Sequence, residues 1–130
     1  MVFHILIIDD QINLPRFIAM ELRAEGYQVS IGSDEATGLS MIRESKPDLI
    51  VLNWEIRHSS GPNIHRRLKA IAYPAPIVII TTNDESSCWS AFKLEAQTRL
   101  TKPFSMNDLL KTIDYHLQYQ TQPVGGACLL

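Results

Sequence analysis

Short apolar runs alternate five times along the chain with segments whose apolar residues recur at helical spacing. "VFHILII" (2–8) predicts a first strand. "LPRFIAMELRAEG" (14–26) then places Leu14, Phe17, Ile18 and Leu22 on one helical face before a terminating Gly26. "YQVSI" (27–31) alternates as a second strand, and Ser33 or Asp34 caps a helix through "EATGLSMIRES". "DLIVLN" (48–53) is apolar at nearly every position, the mark of a strand covered on both faces and lying inside a parallel sheet. Gly61 and Pro62 open a third helix through "NIHRRLKAI", and "PIVIITT" (76–82) is a fourth strand. "ESSCWSAFKLEA" carries a fourth helix, "RLT" (99–101) a short fifth strand, and Ser105 starts a last helix with Asp108 as a capping-box acid. The pattern predicts an α/β domain with a parallel sheet between two helical layers over residues 1–120, followed by a tail, 121–130, where Pro and Gly break the periodicity.

The polar residues that end the strands converge in this arrangement. Parallel strands deliver their carboxyl ends to one edge of the sheet, and ligands bind there where the strand order reverses. The first run ends in Asp9 and Asp10, the third in Asn53, the fourth in Thr81 and Thr82, and the fifth in Lys102. Carboxylates, an amide, a hydroxyl and an ammonium at one edge suit an oxygen-seeking divalent cation and a phosphoryl group.

These residues resemble the receiver domains of two-component response regulators. The resemblance spans residues 3 to about 118 and rests on the acidic pair, the "PDLIVLNW" strand, Gly61 eight residues past Asn53, Thr81, and "TKPF" with Lys102 and Pro103. It implies a flavodoxin-like five-stranded sheet of order 2-1-3-4-5 and a cis Lys102–Pro103 bond. It also implies phosphoryl transfer from a histidine kinase to an aspartate, with Mg²⁺ held by Asp9, Asp10, the acceptor and the backbone carbonyl of Glu55. Thr81, Arg99 and Lys102 stand at the phosphate-contact and switch positions of the family.

Departures cluster at those positions. Asn53 stands where the family carries its acceptor aspartate, and an amide does not attack a phosphoryl donor as a carboxylate does. The change also removes a negative charge from the metal set, so Mg²⁺ is expected to bind weakly or not at all, and no other cofactor is expected. Arg99 stands where the family usually carries the aromatic that swings inward on activation, and a guanidinium cannot take that buried rotamer cheaply. Arg57 replaces a common proline, Thr82 a smaller alanine, and the connection "LEAQTRL" is shorter than usual. With Asn53 neutral, Lys102 is expected to pair with Asp9 or Asp10 and to donate to the Asn53 oxygen.

The function expected is an atypical receiver, a pseudo-receiver that acts by protein contacts without phosphorylation. Its partner would be a protein, a histidine kinase or an output protein. A phosphotransfer receiver with Asn53 introduced in place of aspartate is the alternative, against which the shortened connection and Arg99 both argue. A flavoprotein of similar topology fails because the acids of "DDQIN" would repel a flavin phosphate.

Composition narrows the rest. A net charge of −2 and a pI near 6.0 lack the basic footprint of a nucleic-acid binder. No apolar stretch approaches a membrane span and no leader is visible, which predicts a cytoplasmic protein. Cys88 and Cys128 are too few for a disulfide framework and read as reduced thiols. The basic stretch from Arg57 to Lys69 reads as a solvated helix face. His4 and His116 lack metal-ligand spacing. Trp89 and Phe92 combine core packing with a candidate partner surface. The sequence leaves the oligomeric state open.

Overall fold

The computed structural model describes residues 2–82 and 99–120. Five strands form where the apolar runs predict them: β1 His4–Ile8, β2 Gln28–Gly32, β3 Leu49–Asn53, β4 Ile77–Thr81 and β5 Arg99–Thr101. They pair in parallel in the order β2-β1-β3-β4-β5. The fold is therefore the expected flavodoxin-like one, and the order reverses between β1 and β3. The helices are α1 Asn13–Ala24, α2 Glu35–Ser45, α3 Ser60–Ala70, and a final helix Met106–Gln120. The helix expected over "ESSCWSAFKLEA", with Trp89 and Phe92, and the tail 121–130 lie outside the described residues.

Because strand side chains alternate in direction, each central strand feeds two cores. Ile5 and Ile7, Leu49 and Val51, and Val78 and Ile80 face a layer built with Ile18, Ala19 and Leu22 of α1 and with Leu109, Ile113 and Leu117 of the final helix. Leu6 and Ile8, with Ile50 and Leu52, face the opposite layer of Ile42, Ile64 and Leu68 from α2 and α3. All five β3 residues are buried, as the unbroken apolar run requires of a central strand.

Local signals set the helix ends. Asp34, not Ser33, caps α2: its carboxylate accepts the Thr37 N–H at 2.7 Å, which lowers its pKa. Ser105 caps the final helix, its Oγ accepting the Asp108 N–H at 3.0 Å. On α1 the buried stripe is Pro15, Ile18, Ala19 and Leu22, while Phe17 is 45% exposed. Ala19 falls about 100° from Ile18 on the side shared with Pro15 and Leu22, whereas Phe17 falls about 100° from Ile18 on the other side and reaches solvent. Among the described residues no helix is long and apolar enough to cross a membrane.

Candidate functional site

The sheet places the polar strand ends side by side. β1 and β3 pair along their length, with Ile8 opposite Leu52, so Asp9 and Asn53 emerge as neighbours at the point where strand order reverses. β4 lies on the other side of β3, with Ile80 opposite Asn53, and the Trp54 N–H extends the tie by donating to the Ile80 carbonyl at 2.8 Å. The Lys102 N–H in turn donates to the Thr81 carbonyl at 2.7 Å, and the Lys102–Pro103 bond is cis.

Asp9 and Asn53 are buried and bonded to each other. Asn53 Nδ2 donates to Asp9 Oδ1 at 3.0 Å, and the same oxygen accepts the Gln11 N–H at 2.9 Å. Asn53 Oδ1 accepts the Glu55 N–H at 3.2 Å. Both ends of the amide are thus engaged, one by a carboxylate that a second carboxylate could not approach without repulsion. This contact fixes which end of the side chain is the amide nitrogen.

Asp10 is held from a different quarter. Arg57 donates to Asp10 Oδ2 from Nε at 3.0 Å and from its backbone N–H at 3.3 Å. A 3₁₀ turn over Arg57–Ser59, with His58 in the left-handed region at φ 62°, carries the chain from β3 into α3 and sets this geometry. The expected pairing of Lys102 with Asp9 or Asp10 does not form, and the expected Lys102 bond to the Asn53 oxygen is replaced by the Glu55 N–H. The physical reason is reach: Arg57 leaves the end of the adjacent β3 and lies over Asp10, whereas Lys102 leaves β5, with β4 and β3 between it and β1. Arg99, on β5 opposite Ile79, is half-buried.

Glu55 supplies a contact that sequence reasoning assigned to its backbone alone. Its Oε2 accepts the Thr81 hydroxyl and its Oε1 the Thr82 N–H at 2.9 Å, bridging the ends of β3 and β4. An acid two residues past the acceptor position, facing a Thr-Thr strand end, is the signal that could have suggested it.

Behind the polar edge Trp54 is buried against His65 of α3, ring centroids 5.8 Å apart at 69°. Burial first, then the charges of Lys69 and Arg66, hold the His65 imidazole below its usual value of 6.5. A lowered folded-state pKa means that the unfolded chain takes up the proton more readily. The His65 contribution is therefore fully present above 6.5 and is lost as pH falls through the window beneath it. Urea melts of the parent between about pH 7.5 and 5.5 should show falling stability across that window, with a flatter dependence in His65→Phe. An equal slope in both proteins would assign the dependence to other groups.

Among the described residues no three His, Cys, Asp or Glu side chains gather as a metal set. What does assemble is a network of paired strand ends: Asn53 with Asp9, Arg57 with Asp10, and Glu55 with Thr81 and Thr82.

Comparison with known proteins agrees with this architecture. Residues 5–114 match the family model of the response regulator receiver domain. The chain is 32% identical to the phosphate regulon transcriptional regulatory protein PhoB of Pseudomonas aeruginosa, over 82% of this chain and 48% of that protein. It is 34% identical to the response regulator ArlR of Staphylococcus saprophyticus, over 91% of this chain and 54% of that one. The chain thus spans about half the length of these curated relatives. Among solved structures, a receiver domain protein from Clostridium thermocellum superimposes with a TM-score of 0.80 at 27% identity, covering 90% of this chain and 95% of that one. A CheY-like receiver from Methanospirillum hungatei gives 0.82 at 23% identity over 92% and 97% of the two chains, which shows the shared fold. The motifs, the strand order and the family match lead to one conclusion: this chain belongs to the response regulator receiver domains of two-component signalling.

Proposed function

We propose that this domain is an atypical receiver that acts in signal transduction through protein contacts and without aspartyl phosphorylation. The observation that carries the reading is the Asn53 side chain: at the acceptor position stands an amide that donates to Asp9 at 3.0 Å and offers no carboxylate to a phosphoryl donor. The surroundings support it. In ordinary receivers the acidic pair serves a divalent cation, whereas here the Asp10 carboxylate is engaged by the Arg57 guanidinium, so a cation added between Asp9 and Asp10 would meet positive charge. This donor set does not suit Mg²⁺. Thr81 and Thr82, which would contact a phosphoryl group, are engaged by Glu55.

The partner is a protein, a histidine kinase or an output protein, and the setting cytoplasmic. The named relatives, which include a transcriptional regulatory protein, support a regulatory role for the domain within such a pathway.

Incubated with Mg²⁺ and acetyl phosphate, the protein is expected to gain no phosphoryl mass. A base-labile adduct at residue 53 would overturn the reading. The Arg57 contact has its own test. Arg57→Ala should strengthen Mg²⁺ binding, followed by Trp54 fluorescence, while changing stability by about 1 kcal/mol or less, because the Arg57 side chain is 79% exposed and solvent screens the pair. Unchanged Mg²⁺ affinity would mean that Arg57 does not guard the acidic pair.

A further inference from the structure

Two donors at the end of β4 converge on the two oxygens of one carboxylate, the Thr81 hydroxyl on Glu55 Oε2 and the Thr82 N–H on Oε1 at 2.9 Å. The carboxylate comes from the neighbouring strand end, where Asn53 Oδ1 fixes the Glu55 N–H at 3.2 Å. A hydroxyl and a backbone N–H aimed at separate oxygens of one anion are the parts of an oxyanion site. Here the chain itself supplies the anion.

From this geometry we infer that Thr81 and Thr82 form an oxyanion site whose resident occupant is the Glu55 carboxylate. This tethered anion holds the β4 edge in its anion-bound arrangement without external phosphate. The inference rests on the reading of the domain as one that acts without phosphorylation, and it names what takes the phosphoryl group's place.

Three features distinguish this from an incidental surface contact. Thr81 is fully buried, so its hydroxyl is set by the packed strand and is not a free rotor in solvent. Glu55 turns toward β4 while Asp9 and Asp10 are engaged by Asn53 and Arg57, an arrangement that spreads the three carboxylates of this edge over separate partners. The tether also gives the carboxylate an effective concentration on the order of millimolar or higher at its donors, so an external oxyanion must compete with a built-in one. The edge is consequently insensitive to ambient phosphate. It opens when Glu55 is withdrawn, for instance by a cationic group of a partner protein.

The experiment uses the full chain labelled with ¹⁵N and follows the Thr82 amide. In the parent inorganic phosphate should leave its shift nearly unmoved. In Glu55→Ala phosphate should shift the amide saturably, with affinity at least about tenfold higher than in the parent. Glu55→Gln, which keeps an acceptor oxygen but loses the charge, should fall between them. Unchanged amides elsewhere verify that the variants fold. Phosphate binding as tight in the parent as in Glu55→Ala would overturn the proposal. So would the absence of phosphate binding in both proteins. A phosphoryl adduct at residue 53 would sink the function proposed above while leaving these amide results standing, so the two failures are separable.

Discussion

Gly61→Ala should destabilise the domain by about 3 kcal/mol or more, the upper end of what overpacking a filled site costs. A Cβ built at Gly61 lies 2.4 Å from the Trp54 carbonyl oxygen and 2.8 Å from the Trp54 C and Cα atoms. These are backbone atoms, so no rotamer change relieves the overlap. Nor is that backbone free to shift, since the Trp54 N–H is bonded to the Ile80 carbonyl at 2.8 Å and the Trp54 ring is wedged against His65. Gly38→Ala provides the contrast. Its Cβ would meet the Ile8 Cδ1 at 2.9 Å, a contact with the far end of a side chain that a change in its χ2 relieves in part, and alanine favours the helix it would join. Urea melts should give a clearly lower midpoint for Gly61→Ala than for Gly38→Ala. Equal midpoints would show that the start of α3 can move away from Trp54 at little cost.

Gly61 also shows how far the sequence could be read. Its spacing from Asn53 marked it, but only the folded chain reveals that the glycine admits the Trp54 backbone. The strands were legible because an apolar run buried on both faces has few alternatives: β1, β3 and β4 fall inside the runs predicted for them. The convergence of Asp9, Asn53 and Thr81 followed from topology alone, since parallel strands share an edge. The pairings at that edge were not legible. Counting charges made Lys102 the obvious partner for Asp9 and Asp10, yet the 3₁₀ turn after β3 turns Arg57 back onto Asp10, and His58 enters the left-handed region within it. In the sequence Arg57 reads only as a missing proline and as the start of a solvated basic stretch. Glu55 was assigned a carbonyl role because the family uses that atom, while its side chain spans to Thr81 and Thr82. On α1 the choice of Phe17 over Ala19 as a core residue followed hydrophobicity, whereas the helix phase relative to the sheet favours the smaller residue.

Asn53→Asp, the change that restores the family's acceptor, should first of all destabilise this protein. Residues 9 and 53 are 4% and 3% exposed, and Asn53 Nδ2 sits 3.0 Å from Asp9 Oδ1. Substituting an oxygen for that nitrogen removes a donor and sets two carboxylates face to face with little water between them. Breaking a buried polar contact in this way costs about 3 kcal/mol or more at neutral pH without metal. The two acids escape part of the cost by sharing a proton, which raises a folded-state pKa above its ordinary value. A raised folded-state pKa contributes stability at low pH that is lost as pH rises, so the deficit relative to the parent should shrink on acidification. Mg²⁺ should offset it as well, because an ion that binds the folded form alone stabilises it in proportion to its occupancy. In the parent, where Asn53 is neutral and Arg57 holds Asp10, Mg²⁺ should have little effect. Lys102 could swing toward the new carboxylate and hide the effect, and adding Lys102→Met to the variant removes that escape. Urea melts of the parent, of Asn53→Asp and of the double variant, at about pH 5 and 7.5 with and without Mg²⁺, test the argument. If Asn53→Asp matches the parent at neutral pH without metal, and Lys102→Met leaves it so, the Asp9–Asn53 contact is not what holds β1 to β3 at this edge.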